Sequence, residues 1–200
     1  MGSILTGRDK TLVWADFGKP VSKAKPAAGG TAVAAHTEVE YPIQYGWSSS
    51  GQSFSLADDV KVNVRLNPTK SWVADWVFNE AKQFQDDLLK HEQGHYDIAA
   101  LLARDMFIEI MQLKGQVFGS KKALDAAVKA VVDEHRSQRI HDKYDEKSES
   151  NHGLNSTQQK VWDTYFVKAK TTPRTPRVTA PDGALYKIPL LDVLKSAGKL

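Results

Sequence analysis

Residues 91–95 read His-Glu-Gln-Gly-His, inside a stretch whose apolar residues, Leu88, Leu89, Ile98, Leu102, Met106 and Ile110, recur at helical spacing. Helix positions four apart share a face, with Cβ atoms about 5–6 Å from each other. His91 and His95 therefore project side by side, and two imidazoles so placed can converge on one zinc ion through bonds of about 2.0–2.1 Å. Glu92 is rotated off that axis, too far round for a comfortable ligand but close enough to reach a water in an open coordination position. In such a site the metal lowers the water's pKa to about 7 and polarises a carbonyl, while the glutamate takes the proton and later hands it to the leaving amine. The pentapeptide thus holds two ligands and a general base at the required spacing. It also constrains the fold, because His91, His95, Ile98 and Leu102 share one apolar face. Histidines and a glutamate buried there without partners would cost several kcal/mol. The competing reading is a pair of satisfied core histidines. Gly94 costs about 1 kcal/mol relative to alanine in a helix interior, so its missing side chain points to close approach by another strand or a substrate.

A catalytic zinc takes a third protein ligand. The chain has no cysteine, so that ligand is His, Asp or Glu, and thiolate catalysis and disulfides are excluded. Position 101 is Leu101, so no histidine stands six residues past His95. The ligand must come from further along: Glu134, His135, His141, Asp145 or His152. His152 is favoured, because His152-Gly153 precedes a helix start and a loop there can aim back at residues 91–95. Tyr144 is a candidate hydrogen-bond donor to an oxyanion, against the plainer reading of a helix-end aromatic packed on the core.

The apolar stripe predicts a helix over 81–113, a second over 121–143 and a shorter one over 156–170, capped by Asn155 or Ser156. Before them, Val39, Tyr41, Ile43, Tyr45 and Trp47 alternate with polar residues, as do Val60, Val62, Val64 and Leu66. Both read as half-buried strands paired antiparallel, with a Ser/Gly turn at 48–51 and Pro42 at an edge or bulge. Strand 60–66 is then a candidate edge that binds an extended peptide by strand addition, its Lys61, Asn63 and Arg65 facing outward. Residues 12–17 read as a short strand or anchor, and Ser71 as the cap of a helical turn carrying Trp72 and Trp76, candidate cleft residues. The expected fold is α+β: a small N-terminal antiparallel β-sheet, then a bundle of helices carrying the HExxH helix. Residues 1–170 form a single domain with a flexible loop at 18–35. Residues 171–200 are a Pro/Thr-rich basic tail whose apolar patch at 185–194 docks on the domain or covers the cleft.

With 41% hydrophobic residues the chain can bury a real core. Its net charge is only +3, with acidic residues interleaved, so no nucleic-acid groove is implied. No run of eighteen apolar residues occurs, so no membrane span is expected, and no signal peptide is visible at residues 1–3.

Residues 88–99, from Leu88-Leu89-Lys90 through the pentapeptide to Tyr96-Asp97-Ile98-Ala99, carry a resemblance. With them go Val13-Trp14-Ala15-Asp16-Phe17, Ser71-Trp72-Val73, Tyr144-Asp145, His152-Gly153 and the spaced Gln158, Gln159 and Trp162. This ordered set resembles a bacterial family, otherwise a domain of unknown function, whose members are described as secreted zinc-dependent proteases. The resemblance implies a zincin-like arrangement with His91 and His95 as zinc ligands, Glu92 as base and His152 as third ligand. It also implies a periplasmic or secreted location, with the cytoplasm still open. The expected function is a zinc metallopeptidase acting on a peptide or protein substrate. A zinc amidase acting on cell-wall material and a non-catalytic zinc- or peptide-binding domain are the alternatives.

Overall fold

The computed structural model describes residues 2–25, 33–136, 138–174 and 186–200. Residues 26–32, within the loop expected at 18–35, and 175–185, within the expected tail, lie outside the described residues. The architecture is α+β, with short strands in the N-terminal part and helices after them.

The N-terminal strands are β1 (Ile4–Thr6), β2 (Ala35–His36), β3 (Val39–Glu40), β4 (Ile43–Gln44), β5 (Trp47–Ser50) and β6 (Ser53–Leu56). After them come β7 (Lys61–Asn63), β8 (Arg65–Leu66) and β9 (Trp72–Val73). The two alternating segments do pair antiparallel, Ile43 opposite Val62 and Val39 opposite Leu66. Each is nonetheless cut in two. Pro42 has no N–H to give, and its carbonyl takes the N–H of Asn63; Val64 turns its own N–H to Thr6. Strand β1 then lies parallel to β7, with Leu5 opposite Val62. The 60–66 segment is therefore an interior strand, flanked by β1 and β4. That corrects its reading as a peptide-binding edge, because its backbone groups are already paired. Ser48–Ser50, read as turn, belong to a β5–β6 hairpin whose bend falls at Gly51, φ +60°.

Ser71 caps no helix. Its hydroxyl bridges to the backbone of Glu38, accepting from the N–H and donating to the carbonyl. That stitches β9 to the chain between β2 and β3, so Trp72 lies in a strand and Trp76 in a 3-10 turn at Asp75–Asn79. Residues 12–17 form another 3-10 turn, at Trp14–Phe17.

Helix α1 (Lys82–Met111) is the axis of the molecule. Thirty residues with one glycine and no proline run on as about 45 Å of helix. Tyr96, Ala100, Ala103 and Phe107 face the strands and α2 (Lys121–His135), which Ser120 caps through the N–H of Ala123. Ile98, Leu101 and Leu102 face the other way, into a second core with α3 (Gln138–Asp145), α4 (Ser156–Thr171) and α5 (Leu190–Ser196). The single helix expected over 121–143 is thus two. The chain leaves helical geometry at Arg136 (ψ 63°) and restarts at Gln138. Asn155 caps α4, as the sequence implies.

Of the expected tail, residues 186–200 are part of the second core, with Leu190, Val193 and Leu194 fully buried. A buried pair on α1 anchors them. Arg104 donates to the carbonyls of Ala169 (2.7 Å) and Ile188 (3.0 Å), and Asp105 accepts from the N–H of Leu190 (2.9 Å). None of these tail residues lines the cleft described below, so the notion of a covering segment is not supported by the described part. No helix among the described residues is long and apolar enough to cross a membrane. Leu190→Ala is expected to lower the unfolding free energy in urea by about 2–5 kcal/mol. A loss near zero would show that the tail is only loosely laid on the bundle.

Candidate metal centre

The third and fourth turns of α1 place His91 and His95 side by side against a cavity of about 590 Å³. Their Nε2 atoms are 3.2 Å apart. Asp145, the last residue of α3, brings Oδ1 to 3.1 Å from His91 Nε2 and 3.0 Å from His95 Nε2. Neither approach is aligned as an N–H···O hydrogen bond, and Asp145 Oδ1 is buried with no donor among the described residues. Three ligand atoms about 3.3 Å apart is the spacing that tetrahedral coordination gives at bonds of about 2.0–2.1 Å. An orphaned carboxylate oxygen between two imidazoles is what a divalent cation would satisfy, so the residues fit a metal. His152 stands beside them, its Nδ1 3.6 Å from Asp145 Oδ1, and His91, Asp145 and His152 offer ligand atoms all within 4.8 Å of one another.

Of the expected third ligands, the structure brings Asp145 and His152 to the centre and places His141 one contact behind it. The other two it does not bring. Glu134 is exposed on α2. His135 is buried with Nδ1 on the Val131 carbonyl and Nε2 3.7 Å from Glu109.

The loop from 146 to 155 sets His152. Asn151 and His152 both take positive φ, 50° and 51°, followed by Gly153 at 84°. Left-handed backbone at a histidine is strained, and the loop tightens onto α1 here. A Cβ on Gly153 would sit 3.0 Å from that of His91. The loop is tied down by Glu149, which accepts from Trp162 Nε1 (3.0 Å) and Lys199 (2.7 Å).

Glu92 is buried, and Thr37 Oγ1 donates to its Oε2 at 2.6 Å. Burial pushes the Glu92 carboxyl above its ordinary range, with the neighbouring His95 and the Thr37 hydrogen bond pulling the other way. For Asp145, burial also works upward, but the two imidazoles beside it outweigh that and hold the carboxyl below its usual range. Burial lowers His91 and, together with the charge of His95, takes His141 down to about 3. A carboxyl raised toward neutrality is suited to a general base, whereas a carboxylate held ionised between two imidazole nitrogens is suited to ligation.

Residues 14–153 match the profile of a family described as a bacterial protein of unknown function, DUF922. The chain belongs to the DUF922 family. No curated protein and no solved structure matches it. The matched span of this DUF922 chain runs from the Trp14 turn to Gly153 and so includes every residue of the cluster.

Tyr144 does not serve an oxyanion in this DUF922 domain. It is fully buried, donates to Gln159 Oε1 at 2.7 Å and stacks on the ring of His91, centroids 4.7 Å apart and planes 9° apart. It also explains Gly94, because a Cβ there would lie 2.1 Å from the Tyr144 hydroxyl oxygen. The close approach inferred from Gly94 is thus made by neither strand nor substrate. Trp72 and Trp76 do not line the cavity; Trp72 lies under Lys23, 3.5 Å from ammonium to ring. Sequence reasoning missed Thr37 and Ser150. Neither belongs to a motif, and their partners lie 55 and 59 residues away. Gly94→Ala, which gains about 1 kcal/mol in an open helix, is expected to destabilise this domain by more than about 1 kcal/mol through the overlap with Tyr144. Urea unfolding measures it, and a stabilised variant would show that the Tyr144 contact is dispensable.

Proposed function

We propose that this protein is a zinc-dependent hydrolase that cleaves peptide bonds, with His91, His95 and Asp145 as ligands and Glu92 as general base. The observation that carries the reading is the convergence of three ligand atoms within 3.2 Å beside a buried carboxyl of raised proton affinity. A bound zinc ion supplies a Lewis acid that acidifies water and polarises a carbonyl. The chain's residues do the rest. Glu92, held by Thr37, receives the water's proton and returns it to the leaving nitrogen. His152, partly exposed on the same cavity, is placed to hydrogen-bond the carbonyl oxygen as negative charge develops there.

The shape of the cavity supports an extended substrate. Residues 35–41 form one wall. Glu38 turns its N–H to Ser71 and its carbonyl to Asn67, away from the cavity. Backbone groups alternate along an extended chain, so those of Thr37 and Val39 are directed to the cavity edge. A peptide laid there gains backbone hydrogen bonds by strand addition, the role the sequence suggested for 60–66.

Elemental analysis is expected to find one equivalent of zinc in the wild type and in Glu92→Gln, and little in Asp145→Ala. Against a peptide library, Glu92→Gln is expected to lose about 10²–10⁴-fold in kcat, and chelation to abolish turnover until zinc is restored. His152→Ala is expected to keep the metal and lose rate. If His152→Ala empties the site while Asp145→Ala stays loaded, the ligand roles are reversed; undiminished turnover in Glu92→Gln rejects the mechanism.

A further inference from the structure

We infer that His141 and Ser150 set the tautomers of the two imidazoles on α1, so that both rings present an unprotonated Nε2 to the metal. This rests on the metal reading above. Each ring has its second nitrogen engaged. His91 Nδ1 lies 3.2 Å from Ser150 Oγ. The Ser150 hydroxyl hydrogen is committed to the Tyr144 carbonyl, and a hydroxyl has only one hydrogen. Its oxygen can therefore only accept, and His91 must carry its proton on Nδ1. A neutral imidazole has one N–H, so His91 Nε2 is bare and faces the Asp145 oxygen.

His95 meets His141 nitrogen to nitrogen, Nδ1 to Nδ1 at 3.0 Å. Their planes differ by 22° and their centroids are 5.3 Å apart. With a nitrogen contact this short, that separation means rings lying edge to edge with the two nitrogens in line. One ring donates and the other accepts. His95 Nε2 is 3.0 Å from Asp145 Oδ1 and 3.2 Å from His91 Nε2, so a metal there requires it bare. His95 then donates from Nδ1, and His141 accepts with its own proton on Nε2. His141 and Asp145 are four residues apart on α3. One face of that helix thus supplies both a ligand and the acceptor that orients another. Such partners of metal-bound histidines raise affinity about 10- to 100-fold.

The test uses ¹⁵N-labelled full-length protein, metal-free and with one equivalent of zinc, and reads the tautomers of His91 and His95 from long-range ¹H–¹⁵N couplings. Zinc affinity is measured by competition with a chromogenic chelator for wild type, His141→Asn and His141→Phe. The expected result is protonated Nδ1 on His91 before and after zinc, and on His95 once zinc is bound. His141→Phe, which keeps a flat ring but accepts nothing, should bind zinc about 10- to 100-fold more weakly. His141→Asn, whose amide oxygen stands near the old Nδ1, should bind close to wild type. Equal affinity in all three proteins, or equal loss in both variants, overturns the assignment, because a packing role would not follow the acceptor. The two readings fail separately. A wild type that binds no zinc yet holds its protons on Nδ1 ends the metal reading and leaves the tautomer assignment standing. Zinc bound with the His95 proton on Nε2 overturns the tautomer assignment and removes that nitrogen from the ligand set, while zinc binding itself stands.

Discussion

Three polar atoms, Nε2 of His91, Nε2 of His95 and Oδ1 of Asp145, meet within 3.2 Å of one another, the two histidines buried and the carboxylate oxygen itself shielded from solvent. If both Nε2 atoms are bare, their lone pairs and the carboxylate oxygen repel at that distance unless positive charge comes between them. Much of the surrounding structure is arranged to hold the three together. Glu92 sits one step round α1 in the same buried zone, raised in proton affinity by the burial that makes the convergence costly.

The arrangement is stiff because α1 is packed on both sides. One face joins the strands and α2, and the other joins α3, α4 and α5, so the helix has little freedom to rotate and carry its histidines off target. Tyr144 adds a local wedge. It fills the space vacated by Gly94 and stacks on His91, which fixes the distance between α1 and α3 and with it the reach of Asp145. The 146–155 loop is held by Glu149, between Trp162 and Lys199, so residues near the far end of the chain steady His152.

Much of this was legible before any coordinates. The helix bearing the pentapeptide, its burial, the α+β order and the antiparallel pairing of the two alternating segments all follow from periodicity. The failures have specific causes. Strand 60–66 reads as an edge because nothing in Ile4-Leu5-Thr6 announces a partner 57 residues away. Ser71 has the chemistry of a helix cap and spends it on Glu38 instead. The break at Arg136 carries no glycine or proline to mark it, yet it is what turns α3 so that His141, Tyr144 and Asp145 face α1.

Sequence alone determined that His91 and His95 share a face and that Glu92 stands beside them, because a helix converts spacing in the chain directly into spacing in space. It also restricted any metal ligand to His, Asp or Glu. Only the tertiary structure decided which distant side chains complete the cluster. The sequence favoured His152 over Asp145, and Thr37 and Ser150 do not stand out in it at all. Their roles depend on how two cores close around one helix, and long-range packing of that kind leaves no local period to read.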